Sequence, residues 1–313
     1  MLYLWIGLGI LAVIIGFTLA VFKVSFYNAN NRDTTYDLLK GPDYDPYAEE
    51  MRRLIDEAVK LPYEEIEARS YDGLKLKGRL YLRREGASVH IEFHGYHGCG
   101  IKDFSGGMRL PLAIGENVLL VDQRAHGHSE GHVVTYGIRE RKDVLTWIRF
   151  VHDRFGDHTK IYLEGISMGA ATVLMASDLV TKEEVAGIWA DCPYSDPFKI
   201  NSIVAKGMVK VPHLCDPFIF LAGLLFGHIN IFSSSALKSV KKTDVPIRII
   251  HGTSDHLVPF EMSVQTAEAN PDKVKLIPVE GAPHGLSYLK DTEKYRTAYY
   301  DFMRQTRIES IRR

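Results

Sequence analysis

The sequence predicts an α/β protein, with a mostly parallel sheet flanked by helices and one apolar helix at its start. Three observations carry that expectation. Short apolar or alternating runs, the signature of strands, recur between segments whose apolar residues repeat at helical spacing. The residues able to do chemistry fall just beyond the C-terminal ends of those runs, where parallel sheets carry their sites. Residues 2–22 form an uninterrupted apolar stretch without a charge.

Along the chain, residues 2–22 come first. At 1.5 Å rise per residue such a run is long enough to cross a hydrocarbon core of about 30 Å. Tyr3 and Trp5 at one end, and Phe26 and Tyr27 beyond the other, suit the two membrane interfaces. Thr18-Leu19-Ala20 resembles a signal-peptidase site, but a basic leading segment is missing and the apolar run is long for a signal peptide. The expectation is an uncleaved single-pass anchor over residues 1–23. No Lys or Arg precedes the span, whereas Lys23, Arg32 and Lys40 follow it, which favours a cytoplasmic location for the remainder. The three cysteines, Cys99, Cys192 and Cys215, form no disulfide framework, which is compatible with a reducing compartment.

Residues 24–45 are polar and turn-rich and read as a tether, and residues 47–60 as a short amphipathic helix, so 24–60 links anchor and domain. A single α/β unit then fills 61–313. Its opening antiparallel part includes a strand at 74–82. Residues 88–93 read as a strand leading into His94-Gly95-Tyr96-His97-Gly98. Another, 117–121, leads into Asp122-Gln123-Arg124-Ala125-His126-Gly127-His128-Ser129. Between residues 137 and 155, Ile138, Leu145, Ile148, Val151 and Phe155 recur at helical spacing, the stripe of a helix packed on a sheet.

Residues 160–164 alternate as a strand and run into Gly165-Ile166-Ser167-Met168-Gly169, after which small residues continue as a helix. A serine on so sharp a strand-to-helix turn is lifted clear of the sheet, and its flanking glycines relieve crowding. A hydroxyl needs a base to take its proton, and the base needs a group to orient it. Residues 245–252 form a buried-type strand ending at Asp255. Residues 274–279 form another, ending at His284. The order Ser167, Asp255, His284, each at a strand end, is that of an α/β-hydrolase catalytic triad.

On these residues the chain resembles the serine hydrolases of the α/β-hydrolase superfamily, of a membrane-anchored bacterial type near the acylglycerol lipases and serine aminopeptidases. The resemblance covers most of the chain from Ile66 to Thr306 and implies a mostly parallel sheet of eight-stranded type. It implies that the backbone amides of Tyr96 and Met168 form the oxyanion hole. It implies a structural role for Asp122, Arg124 and His126, and no metal or organic cofactor. His256 reads as a solvated loop residue and Cys99 as a packing residue.

About fifty residues separate the strand ending near Asp191 from that starting near Val245, more than a crossover needs. In similar hydrolases this stretch forms a cap, here about 196–243. Its apolar run includes Phe220 and Leu224, which are expected to line the substrate site. The expected reaction is hydrolysis of small or lipid-like carboxylic esters through an acyl-enzyme. A peptidase or amidase, with Glu261 or Asp196 holding a substrate amine, is the alternative, followed by a non-catalytic binding module on the same scaffold. A formal net charge of −1 gives no basic surplus for nucleic acid.

Overall fold

The computed structural model describes residues 1–29, 36–209 and 214–311. Eight strands form one sheet: β1 (Glu64–Arg69), β2 (Lys75–Tyr81), β3 (Val89–Phe93), β4 (Asn117–Val121), β5 (Ile161–Ile166), β6 (Val185–Asp191), β7 (Ile247–Gly252) and β8 (Val274–Val279). Their order is β1-β2-β4-β3-β5-β6-β7-β8. β2 runs antiparallel to β1 and β4, and every later pairing is parallel. The central strands β3 and β4 are buried at every position, because helices cover both faces of a parallel sheet.

The covering helices explain their own sequences. In α5 (Glu140–Phe155), Val144, Trp147, Ile148 and Val151 are buried at the i, i+3, i+4, i+7 spacing of one face. α6 (Met168–Ala176) is buried throughout, as its run of small apolar residues requires. α12 (Thr292–Ile311) packs Tyr299 and Phe302 around Trp189 of β6. The remaining helices are α1 (Leu2–Ser25), α2 (Ala48–Val59), α3 (Gly100–Phe104), α4 (Arg109–Ala113), α7 (Pro197–Val209), α8 (Asp216–Leu225), α9 (Ala236–Val240), α10 (Phe260–Glu268) and α11 (Ser287–Lys290). Of the expected cap, α7 and α8 lie over the sheet's C-terminal edge, where Ser202 Oγ donates to Asp216 Oδ1 at 2.6 Å. α9 belongs to the body instead: Ser239 donates to the Met175 carbonyl of α6 at 3.1 Å.

α1 is one helix long and apolar enough to cross a membrane. Its first turns project away from the body, with Leu4 62 % and Val13 72 % exposed. Its last turns do not. Phe17 meets Phe218 of α8 edge to face at 4.6 Å, and Phe22 lies 5.7 Å from Phe226.

The expected tether also differs from its sequence reading. The helix continues to Ser25, and the residues after it are tied down. Phe26 is fully buried with its ring 5.6 Å from Tyr136. Asn28 donates from its side chain to the Ala125 carbonyl at 2.8 Å, and Tyr27 bridges Val133. A polar, turn-rich composition conceals this, because two aromatic rings among asparagines are enough to fasten a segment: burying one such ring is worth about 2 kcal/mol. The stretch 30–35 of that tether lies outside the described residues.

Candidate active site

Ser167 stands between β5 and α6 with φ 53° and ψ −114°, in a region that costs a non-glycine residue energy. Surrounding close contacts hold it there. A Cβ on Gly165 would lie 2.4 Å from the Gly169 carbonyl, and one on Gly169 only 1.8 Å from the Phe93 oxygen of β3. Two glycines are therefore needed for the helix to start so close to the sheet. The Ser167 amide donates to the Asp191 carbonyl of β6 at 2.8 Å, which pins the turn.

The loop after β8 brings His284 to this serine, with Nε2 2.9 Å from Ser167 Oγ. Its other nitrogen, Nδ1, lies 2.6 Å from Asp255 Oδ2, on the loop after β7. With the proton on Nδ1 shared with the carboxylate, Nε2 is left to accept from the hydroxyl. Asp255 is itself fastened: Oδ1 accepts from the amides of Leu257 at 2.9 Å and Val258 at 2.7 Å. Burial acts to raise its carboxyl, but hydrogen bonds from His251 and His284 outweigh it and hold it well below the usual carboxylate range.

His251 was not identified from the sequence. It lies in β7, fully buried, with Nε2 3.0 Å from the same Asp255 oxygen and Nδ1 2.6 Å from Ser263 Oγ of α10. Asp255 thus sits between two imidazoles, one facing the serine and one facing the core. Cys192, Asp255 and His284 also bring possible ligand atoms within 4.8 Å of one another. Burial holds the Cys192 thiol far above its usual range, which keeps it protonated and a poor metal ligand.

The loop of residues 94–98 is shaped by three side chains. Asp103 Oδ2 accepts from the Gly95 amide at 2.7 Å and occupies the space that a side chain on Gly98 would need. His126 Nε2 accepts from the amide of His97, a residue at φ 51°. Burial holds His126 well below the usual imidazole range, so it stays neutral and keeps the lone pair that this bond uses. His94 Nε2 accepts from the Gln123 amide at 3.1 Å. Arg124 forks onto Asp143 at 2.6 Å and also reaches Asp72 at 2.9 Å, holding the turn after β4 away from the serine.

A cavity of about 480 Å³ opens over Ser167. Tyr96 and Met168 line it, Met168 as the first residue of α6, where helix amides point outward. The cap contributes Ile200, Val204 and Met208 from α7 and Ile219 from α8. Phe220 and Leu224, expected to line this site, are not among its wall residues. Phe220 packs its ring 5.6 Å from Phe232, and Leu224 is 44 % exposed. α8 is apolar on every side, so composition gave no phase, and the helix presents Ile219 to the cavity instead.

α1 forms the opposite wall, through Phe17, Ala20, Val21, Val24 and Ser25. Tyr136 and Tyr96 donate to the Ser25 carbonyl at 2.6 and 3.1 Å. His256 is exposed, and Cys99 begins α3 with its thiol pushed up to about 12 by burial. Asp196 accepts from the first amides of α7, at 2.9 Å from Phe198 N, and Glu261 is exposed in the first turn of α10.

Residues 93–220 match a family model described as alpha/beta hydrolase fold. YqkD of Bacillus subtilis (strain 168), an uncharacterized protein, is 26 % identical over 199 residues, which are 63 % of this chain and 65 % of that one, a little under two thirds of its length. The solved esterase Pf2001 of Pyrococcus furiosus superposes with a TM-score of 0.61 at 24 % identity, covering 80 % of this chain and 94 % of its own. Est1E of Butyrivibrio proteoclasticus, solved with ferulic acid bound, gives 0.60 at 19 % identity over 77 % and 98 %. The chain has the α/β-hydrolase fold.

Proposed function

We propose that this α/β-hydrolase-fold chain is a serine hydrolase that cleaves carboxylic esters. The observation that carries the proposal is the unbroken hydrogen-bond chain from Ser167 through His284 to Asp255 at the floor of an apolar cavity. His284 takes the proton of Ser167 as Oγ attacks the acyl carbonyl. Asp255 holds the imidazole in the tautomer that can do so and stabilises the imidazolium. The amides of Tyr96 and Met168 receive the oxyanion, each such donor being worth about 3 kcal/mol. His284 then protonates the leaving alcohol, and water repeats the sequence on the acyl-enzyme.

Esters are favoured over peptide amines for a specific reason. The residues described as lining the cavity include no carboxylate to pair with an ammonium, and neither Asp196 nor Glu261 is among them. The likeness to the esterase Pf2001 supports the same reading. α1 serves as a single-pass anchor that leaves the body on the cytoplasmic side, on the strength of Lys23 and the lysine and arginine that follow.

The test is fluorophosphonate labelling and p-nitrophenyl ester turnover of the full chain, wild type against Ser167→Ala. Labelling and turnover that both vanish in the variant are expected. A Ser167→Ala protein that keeps its ester hydrolysis overturns the assignment, and a folded wild type with neither signal favours a binding module.

A further inference from the structure

We infer that the acyl group of the substrate lies in a slot between α1 and the cap, and that the substrate is an ester-bearing lipid taken from the bilayer. The inference rests on the serine-hydrolase reading above and names the substrate class of that same site.

The wall residues of α1 are not a random sample of an apolar helix. Phe17, Ala20, Val21 and Val24 stand at i, i+3, i+4 and i+7, a single stripe along one face. Facing them, Ile200, Val204 and Met208 of α7 stand at i, i+4 and i+8, a second stripe. Two straight apolar stripes with Ser167 at one end form a slot shaped for an unbranched chain. From Phe17 to Val24 the helix rises about 10 Å. Three single bonds of an extended chain span about 3.5 Å, so that slot takes roughly nine bonds, the length of a decanoyl group.

The mouth identifies where that chain comes from. Phe17, Val24, Val204, Met208 and Leu257 line the cavity and yet are 40 %, 58 %, 41 %, 65 % and 45 % exposed. A rim of large apolar side chains around an opening is costly in water and favourable against lipid. The helix that forms one side of this rim is the one long and apolar enough to enter a bilayer. Lys23 immediately precedes the rim residue Val24, its ammonium 3.9 Å from the centre of the Tyr27 ring. A lysine and a tyrosine together mark a headgroup boundary. The slot therefore opens at the level where acyl esters of membrane lipids lie.

The experiment uses full-length protein reconstituted in phosphatidylcholine nanodiscs, with p-nitrophenyl esters from butyrate to palmitate and 1,2-dioleoylglycerol placed in the same discs. Wild type is expected to show kcat/KM rising to about decanoate and to hydrolyse the diacylglycerol. Ala20→Trp and Val21→Trp fill the stripe and are expected to lower the decanoate-to-butyrate ratio at least tenfold. Leu19→Trp, on the opposite face of α1 and 40 % exposed, is expected to leave that ratio unchanged. Fluorophosphonate labelling of Ser167 reports in each variant that the site is assembled. An unchanged ratio in labelled Ala20→Trp and Val21→Trp overturns the slot, as does a wild type that labels and cleaves butyrate but ignores decanoate and diacylglycerol. Loss of labelling in wild type itself would instead remove the hydrolase reading on which the slot rests.

Discussion

Replacing Asp255 by Asn tests the catalytic reading at its most constrained point. The side chain accepts four hydrogen bonds: Leu257 and Val258 amides at Oδ1, His284 Nδ1 and His251 Nε2 at Oδ2. Two backbone donors fix which end of the amide stays a carbonyl, so the new NH₂ must occupy the Oδ2 position. It then donates to His284, whose proton moves to Nε2 and points at Ser167 Oγ. The base is lost while the shape is kept. The equivalent exchange in the Ser-His-Asp template lowers kcat about 10⁴-fold, or about 5.5 kcal/mol of transition-state stabilisation. His251 can follow by donating from Nδ1 to Ser263, so the fold is expected to survive with a loss of about 1–3 kcal/mol. That loss has a defined pH dependence. A carboxyl held below its unfolded pKa contributes stability above about pH 4, and the contribution is lost as pH falls through its folded value. The stability gap between wild type and variant is therefore expected to close in acid. The assay is kcat on p-nitrophenyl butyrate beside thermal unfolding from pH 3 to 8. A folded variant within tenfold of the wild-type kcat would refute the orienting role.

Two further outcomes follow from packing and burial. Gly169→Ala places a Cβ 1.8 Å from the backbone oxygen of Phe93, which cannot swing aside, and is expected to cost more than about 4 kcal/mol, read by urea unfolding. Asp191, fully buried, has its carboxyl raised to about 6 by burial despite the nearby His251 imidazole and the Ser287 hydroxyl. A raised acid favours the native state below its unfolded pKa and penalises it as pH climbs through 6. Asp191→Asn is accordingly expected to raise Tm at pH 8, by at most about 3 kcal/mol in stability, with the gain vanishing near pH 4.

Seven of the eight strands were legible as short apolar or alternating runs, and β4 matches its sequence reading to the residue; the edge strand β1, mostly charged and exposed, was not read. Ser167, Asp255 and His284 were legible for the same reason, since strand ends in a parallel sheet converge on one edge. His251 was hidden because its contact with Asp255 depends on how far the loop after β7 folds back, which no local pattern encodes. The cavity walls were hidden for a different reason. α1 and α8 are apolar on all faces, so hydropathy identifies the helices and erases their phase. Only the tertiary arrangement distinguishes Ala20 from Leu19, or Ile219 from Phe220. Of the residues that hold the 94–98 loop, His126 was expected to be structural from the resemblance, whereas Asp103 carries no signal in sequence.

The fastening of Ser25 and Phe26 has a mechanical consequence. There is no slack between α1 and the body: two tyrosine hydroxyls hold the last carbonyl of the helix, and the next side chain is in the core. A domain on a flexible leash tumbles freely; this one turns only as its helix turns. From Leu2 to Phe22, short of the headgroup boundary that Lys23 marks, α1 rises about 32 Å against a hydrocarbon thickness of about 30 Å. Where it spans a bilayer as proposed, a thinner bilayer is met by tilt, and the tilt is passed rigidly to Ser167. Bilayer thickness then sets the height and angle at which the serine meets its ester, and lipid composition becomes a control on turnover without any ligand binding elsewhere.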